Sequence, residues 1–211
     1  MVKMNRTEQI KATEEYVRLK MEGIESGHDW WHVNRVRKMA QYINERELIA
    51  DPFCLEIAAL LHDVADSKFM DGNEAESYSS IREFMNVSGM EGICDHVIEI
   101  ISNVSFSNKE LSGDLADPVL LVLQDADRLD AIGAIGIARA FNYGGFRNRV
   151  IYLDDDPEAC QRHSTIAHFY DKLLKLKDIM NTHTARVIAE ERHVFTEKFL
   201  QQFYSDWDFA S

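Results

Sequence analysis

Apolar residues recur at three- and four-residue spacing across residues 7–24, 30–46, 53–64, 74–87, 91–103, 118–141 and 162–204, and no proline interrupts any of these runs. That period belongs to an amphipathic helix, in which every third or fourth side chain returns to one face. Alternation of the strand type is convincing nowhere. The chain is therefore predicted to be all-α, with eight or more helices packed as a multi-helix bundle. The last run is expected to break near Asn181-Thr182, because Asn and Thr favour caps and turns over helix interiors. The three prolines sharpen the boundaries, since each follows an aspartate: Asp51-Pro52, Asp117-Pro118 and Asp156-Pro157. An Asp cap followed by Pro at the first helical position marks a helix start, because the N–H that proline lacks would have no partner there.

With 211 residues and 45% apolar content, one hydrophobic core suffices and a single domain is expected over 1–211. The net charge of −13 argues against duplex nucleic acid and anionic membranes, whose binding rests on many Lys and Arg contacts. A small phosphate ester stays open, because a cation and a few basic side chains can reverse the field within one cleft. Three cysteines without CxxC spacing read as reduced core thiols. The start, MVKMNRTEQI, lacks an apolar signal region, and no run approaches the roughly 18 apolar residues of a membrane span. A cytoplasmic protein is expected. Between the helices, Ser67 to Asn73 reads as a short loop. Asn142 to Asp156 reads as the longest segment without helical period, either a plain connector or a flap.

Three short stretches could carry chemistry. Leu60-Leu61-His62-Asp63-Val64-Ala65-Asp66 closes an apolar helix, where a lone buried carboxylate would carry a desolvation cost that a cation removes. Imidazole and carboxylate together suit zinc, manganese, iron or nickel better than calcium, although an exposed helix end could carry the same pair. Gly27-His28-Asp29-Trp30-Trp31-His32 places His32 in the first turn of a helix capped by Asp29; the Glu of an HExxH metalloprotease motif is missing. Gln124-Asp125-Ala126-Asp127-Arg128-Leu129-Asp130 sets three acids and an arginine in an apolar helix, which suggests a buried ion pair or a metal site.

Taken together, GHDWWH, LLHDVAD and QDADRLDAIGAIGIAR resemble the HD-domain metal-dependent phosphohydrolases, and in particular a bacterial subgroup of small hydrolases, over roughly residues 10–205. The resemblance implies an all-α HD bundle with its core over about 26–130 and C-terminal helices over about 160–205 packing on it. It places the family's His, His-Asp and distant Asp on His32, His62, Asp63 and Asp127, as ligands of one divalent ion. Manganese is the expected ion, with magnesium, iron, nickel, cobalt and zinc as alternatives. An ion of that kind lowers the pKa of water toward neutrality and neutralises a phosphate oxygen. Asp66, four residues after His62, is the candidate general base, as in related enzymes.

His28, Arg35, Lys68, Arg139, Lys172 and Lys175 are the candidate phosphate contacts, each of which could equally be a solvated surface charge. None of the remaining histidines sits in a second His-Asp or His-His pair along the chain, so a single metal is expected. The implied reaction is hydrolysis of nucleoside triphosphates to monophosphate and pyrophosphate. The alternatives are a nucleotide phosphomonoesterase of the 5'-nucleotidase kind, a guanosine polyphosphate hydrolase, and a catalytically silent metal-binding scaffold. The apolar late helices would serve a homodimer or close the core.

Overall fold

The computed structural model describes residues 4–23, 29–65, 74–104, 117–153 and 164–209. Their regular secondary structure is helical, and among them the only β-type pairing is one isolated parallel bridge, Val150 to Ser164. The chain divides into two compact units, Met1–Ala126 and Asp127–Ser211.

The first unit is organised around its most apolar helix. Its elements are α1 (Arg6–Lys20), α2 (Trp30–Glu47), α3 (Pro52–Leu61), α4 (Glu74–Val87), α5 (Glu91–Ser102) and most of α6 (Pro118–Asp130). Helix α3 buries seven of its ten side chains, Cys54, Leu55, Ile57, Ala58, Ala59, Leu60 and Leu61, and packs against α1, α2 and α5. Each buried methylene there contributes about 0.8 kcal/mol, so this helix holds its neighbours together. It starts as expected: the Asp51 carboxylate accepts from the Cys54 amide at 2.7 Å, with Pro52 at the first position. Asp117 caps α6 likewise, accepting from the amides of Val119 and Leu120.

Helix α2 turns Val33, Val36, Ala40 and Ile43 to the core at helical spacing. From the same helix Arg37 pairs with Glu14 of α1 at 2.5 Å and donates through Nε to Glu56 of α3 at 2.8 Å. The turn into α3 is clamped by Asn44, whose side chain donates to the Ala50 carbonyl and accepts from the Ala50 amide, both at 3.0 Å. Cys54 and Cys94 are free and buried, in keeping with reduced core thiols.

The second unit takes in the end of α6, α7 (Gly133–Phe146), α8 (Thr165–Asp171), a 3-10 helix (Leu173–Ile179) and α9 (His183–Trp207). Phe141 of α7, Phe169 of α8 and Phe199 of α9 meet with ring centroids 5.9–6.0 Å apart, a spacing at which aromatic rings attract edge to face or offset. Burial holds the Arg192 guanidinium below its usual range, and the side chain donates to the Leu129 carbonyl at 2.5 Å.

Three boundaries differ from those read in the sequence. The run over 118–141 is two helices, because Ile132 is extended and Gly133 adopts φ +75°, which a side chain would disfavour. Helix α7 then continues to Phe146, so Asn142 to Phe146 is not the open segment expected there. The late run breaks at Thr182, which caps α9 as expected, and also at Lys172, where α8 gives way to the 3-10 helix. Gly144 serves packing, because a Cβ there would lie 2.1 Å from Thr165 Oγ1, whereas one on Gly145 would meet nothing within 4 Å. Gly144→Ala should therefore cost about 1–3 kcal/mol in a thermal or urea melt, the usual penalty of overpacking. Gly145→Ala should be neutral or stabilising by up to about 1 kcal/mol.

Candidate metal centre

Two helix ends bring three side chains together. Asp29 caps α2 by accepting, at 2.9 Å, from the backbone amide of His32 itself, which fixes that residue in the first turn. His62 and Asp63 follow directly on α3, with His62 as its C-cap. His32 is fully buried, His62 nearly so, and Asp63 half-buried. Asp63 Oδ2 lies 3.2 Å from His32 Nε2, and Asp63 Oδ1 lies 3.5 Å from His62 Nε2. The two imidazole rings meet edge to face at 5.3 Å.

The proton positions follow from one contact. His62 Nδ1 is 2.8 Å from the Ala59 carbonyl, which can only accept, so Nδ1 carries hydrogen and donates. In the neutral imidazole that leaves Nε2 as a bare lone pair. This nitrogen is buried and makes no hydrogen bond among the described residues. A lone pair facing carboxylate oxygens in a dry site is repulsive unless a cation sits between them. One atom from each of the three residues can be chosen so that all lie within 4.8 Å of one another, and a mixed N/O set of this kind suits a borderline divalent ion. The residues present therefore fit a metal, and the Ala59 carbonyl orients one of its ligands.

The other residues named from the sequence are distributed as follows. Asp127 is half-buried on α6, at the start of the second unit. Arg35 is half-buried on α2, one turn after His32. Arg139, a candidate phosphate contact, donates to Asp130 at 2.8 Å. Lys172 is the C-cap of α8, and Lys175 is exposed on the 3-10 helix. His28, Asp66 and Lys68 lie outside the described residues.

Two partnerships had no local signal. The role of the Ala59 carbonyl is invisible because every residue has one. His96 of α5 finds an acid 21 residues away, with Nε2 2.6 Å from Asp117 and Nδ1 3.6 Å from Cys54 Sγ. Pairs along the chain could not reveal this contact.

The fold, the His32, His62 and Asp63 cluster and the match of residues 30–132 to the HD domain family define the class. The chain belongs to this family and is a metal-dependent phosphohydrolase. Among its relatives, the Bacillus subtilis protein YpgQ is 44% identical over 98% of this chain and 96% of its own length. The crystal structure of YpgQ in complex with ADP superposes with a TM-score of 0.75 at 40% identity, covering 93% of this chain and 97% of that one. An HD-superfamily hydrolase from Bacillus thuringiensis superposes with a TM-score of 0.77 at 41% identity, covering 98% and 100%. No helix among the described residues is long and apolar enough to cross a membrane.

Two expectations follow. Isothermal titration with manganese should give saturable binding that His62→Ala and Asp63→Asn each weaken by at least about a hundredfold, since each removes a ligand. Burial, then Asp51 and Asp117, push the Cys54 thiol up to about 11. A folded pKa above the unfolded one gives stability that is complete below the ordinary thiol pKa and is lost as pH rises toward 11. At pH 8 Cys54 should react with a thiol reagent at least about a hundredfold more slowly than a free cysteine, until urea exposes it.

Proposed function

We propose that this phosphohydrolase acts on nucleoside triphosphates, releasing nucleoside monophosphate and pyrophosphate. The observation that carries the reading is the buried His62 Nε2 lone pair held beside Asp63 and His32. Nucleotide chemistry is supported by the ADP complex of YpgQ, a relative along nearly the whole chain.

His32, His62 and Asp63 would hold a single divalent ion, manganese by preference, with Asp127 as fourth ligand by the family's sequence pattern. The ion would supply charge neutralisation at a phosphate oxygen and a water of lowered pKa. The protein's own part is orientation. The Asp29 cap fixes the α2 turn that carries His32, and the Ala59 carbonyl fixes the His62 tautomer. Burial of both imidazoles excludes competing water and strengthens the local electrostatics. Asp66, outside the described residues, is the proposed base, taking a proton from the attacking water. His28, Arg35 and Lys68 are the proposed phosphate contacts, where charge-assisted hydrogen bonds would hold the substrate against the field of a strongly acidic chain.

Phosphorus NMR of the manganese-loaded protein with nucleoside mono-, di- and triphosphates tests this reading. Pyrophosphate should form from a triphosphate with the wild-type protein and not with His62→Ala. Asp66→Ala should retain the metal and lower turnover by about a hundredfold or more. Orthophosphate without pyrophosphate would replace the reading with a phosphomonoesterase, and no product from any nucleotide would refute it.

A further inference from the structure

The two tryptophans ahead of His32 take no part in the metal centre, and they border a cavity of their own. The end of α1 and the start of α2 flank an open space of about 460 Å³ lined by Arg18, Leu19, Glu22, Asp29, Trp30 and Trp31. Small-molecule sites have this size. Trp31 is 63% exposed, and its indole makes no ring contact. A ring so open forgoes the burial that large aromatic side chains ordinarily gain.

Trp30 is the opposite case. It is 8% exposed, and the Arg18 guanidinium carbon lies 3.8 Å from its ring centroid. Its indole N–H is buried and has no hydrogen-bond partner among the described residues, an uncommon loss for a buried donor. An acceptor reaches that N–H only if a neighbour moves, and Arg18 is an exposed side chain held by one cation–π contact. Arg18 and Glu22 form no ion pair among the described residues. Asp29 spends Oδ1 on the amide of His32, which leaves Oδ2 as a second acceptor beside Glu22.

These groups select a ligand by exclusion. Two carboxylates repel a phosphate or any other anion, and the guanidinium opposes a cation. An aliphatic chain would bury all three charges without partners. A flat neutral ring with donors and acceptors on its edge meets each demand. Its face stacks on Trp31, its N–H groups donate to carboxylate oxygens, and its carbonyls or ring nitrogens accept from Arg18 and Trp30.

We infer that this cavity is a nucleobase subsite, with Trp31 as the stacking platform, Glu22 and Asp29 as acceptors, and Arg18 and Trp30 Nε1 as donors. The choice of ring rests on the nucleotide reading proposed above. One residue joins the subsite to the metal centre: Asp29 lines the cavity and accepts from the backbone of His32. Base and phosphates would thus be served by the same helix end. Binding energy gained at the base, remote from the reacting phosphorus, would hold the nucleotide in place.

Nucleosides test the inference, because they carry the base without phosphate. In the metal-free full chain, the indole N–H signals of Trp30, Trp31 and Trp207 are followed by nitrogen-proton NMR while adenosine, guanosine, cytidine or uridine is added. Saturable shifts of the Trp30 and Trp31 signals are expected, with the Trp207 signal unmoved. Ribose and inorganic pyrophosphate should produce neither shift. Trp31→Ala, read at the Trp30 signal, should weaken nucleoside binding by about tenfold or more, since a stacking platform is lost. Glu22→Gln, which keeps the side chain's size, should weaken it by about threefold or more. Amide spectra of both variants check that the fold is intact. No shift with any nucleoside, equal shifts with ribose or pyrophosphate, or unchanged affinity in either variant would overturn the inference. All of this is read without metal or turnover, so it fails or holds separately from the pyrophosphate test of the proposed reaction.

Discussion

The hydrogen bond from His62 Nδ1 to the Ala59 carbonyl is the contact on which the candidate centre depends. It decides which nitrogen carries the proton, and so turns a buried imidazole into a directed lone pair rather than a donor. The bond exists because His62 caps α3, where the side chain can fold back on a carbonyl of the last turn. Helix α3 can hold that position rigidly because nearly its whole surface is covered by α1, α2 and α5. The apolar composition of one ten-residue helix thus connects directly to the orientation of one nitrogen.

The same logic holds at the other ligand. His32 sits in the first turn of α2, where Asp29 satisfies the amide of that very residue, so capping and ligand placement are one device. Burying imidazoles and a carboxylate together is costly in an apolar core, and such a cost persists where function requires it. The first unit meets it with a firm frame: the Arg37 pairs to Glu14 and Glu56 tie the helices around the cluster, and Asn44 closes the turn between α2 and α3. The relatives, hydrolases of the HD family among them, share this architecture across nearly the whole chain.

Much of this was legible in the residues. The aspartates before Pro52 and Pro118 marked helix starts because their chemistry is local, and Thr182 did so for the last helix. The pairing of His62 with Asp63 stood out because a carboxylate at the end of an apolar run demands an explanation. What stayed hidden was non-local. The α6 to α7 break was masked by apolar spacing that continues across it, although Gly133 and Gly136 were available as signals; a Cβ on Gly136 would lie 2.2 Å from the Ala131 carbonyl oxygen. Asn142 to Asp156 read as a connector or a flap, yet Gly144 within it is a packing contact between helices. The His96 contact with Asp117 spans 21 residues, and no spacing rule reaches that far.

The central claim is that His62 Nε2 is a metal ligand held ready by the Ala59 carbonyl, and anomalous diffraction from crystals grown with manganese tests it most directly. The account predicts an anomalous peak within bonding distance of His62 Nε2, His32 and Asp63, with His62 Nδ1 still donating to Ala59. No peak at these atoms, or a His62 ring turned so that Nε2 meets a protein acceptor instead, would contradict it.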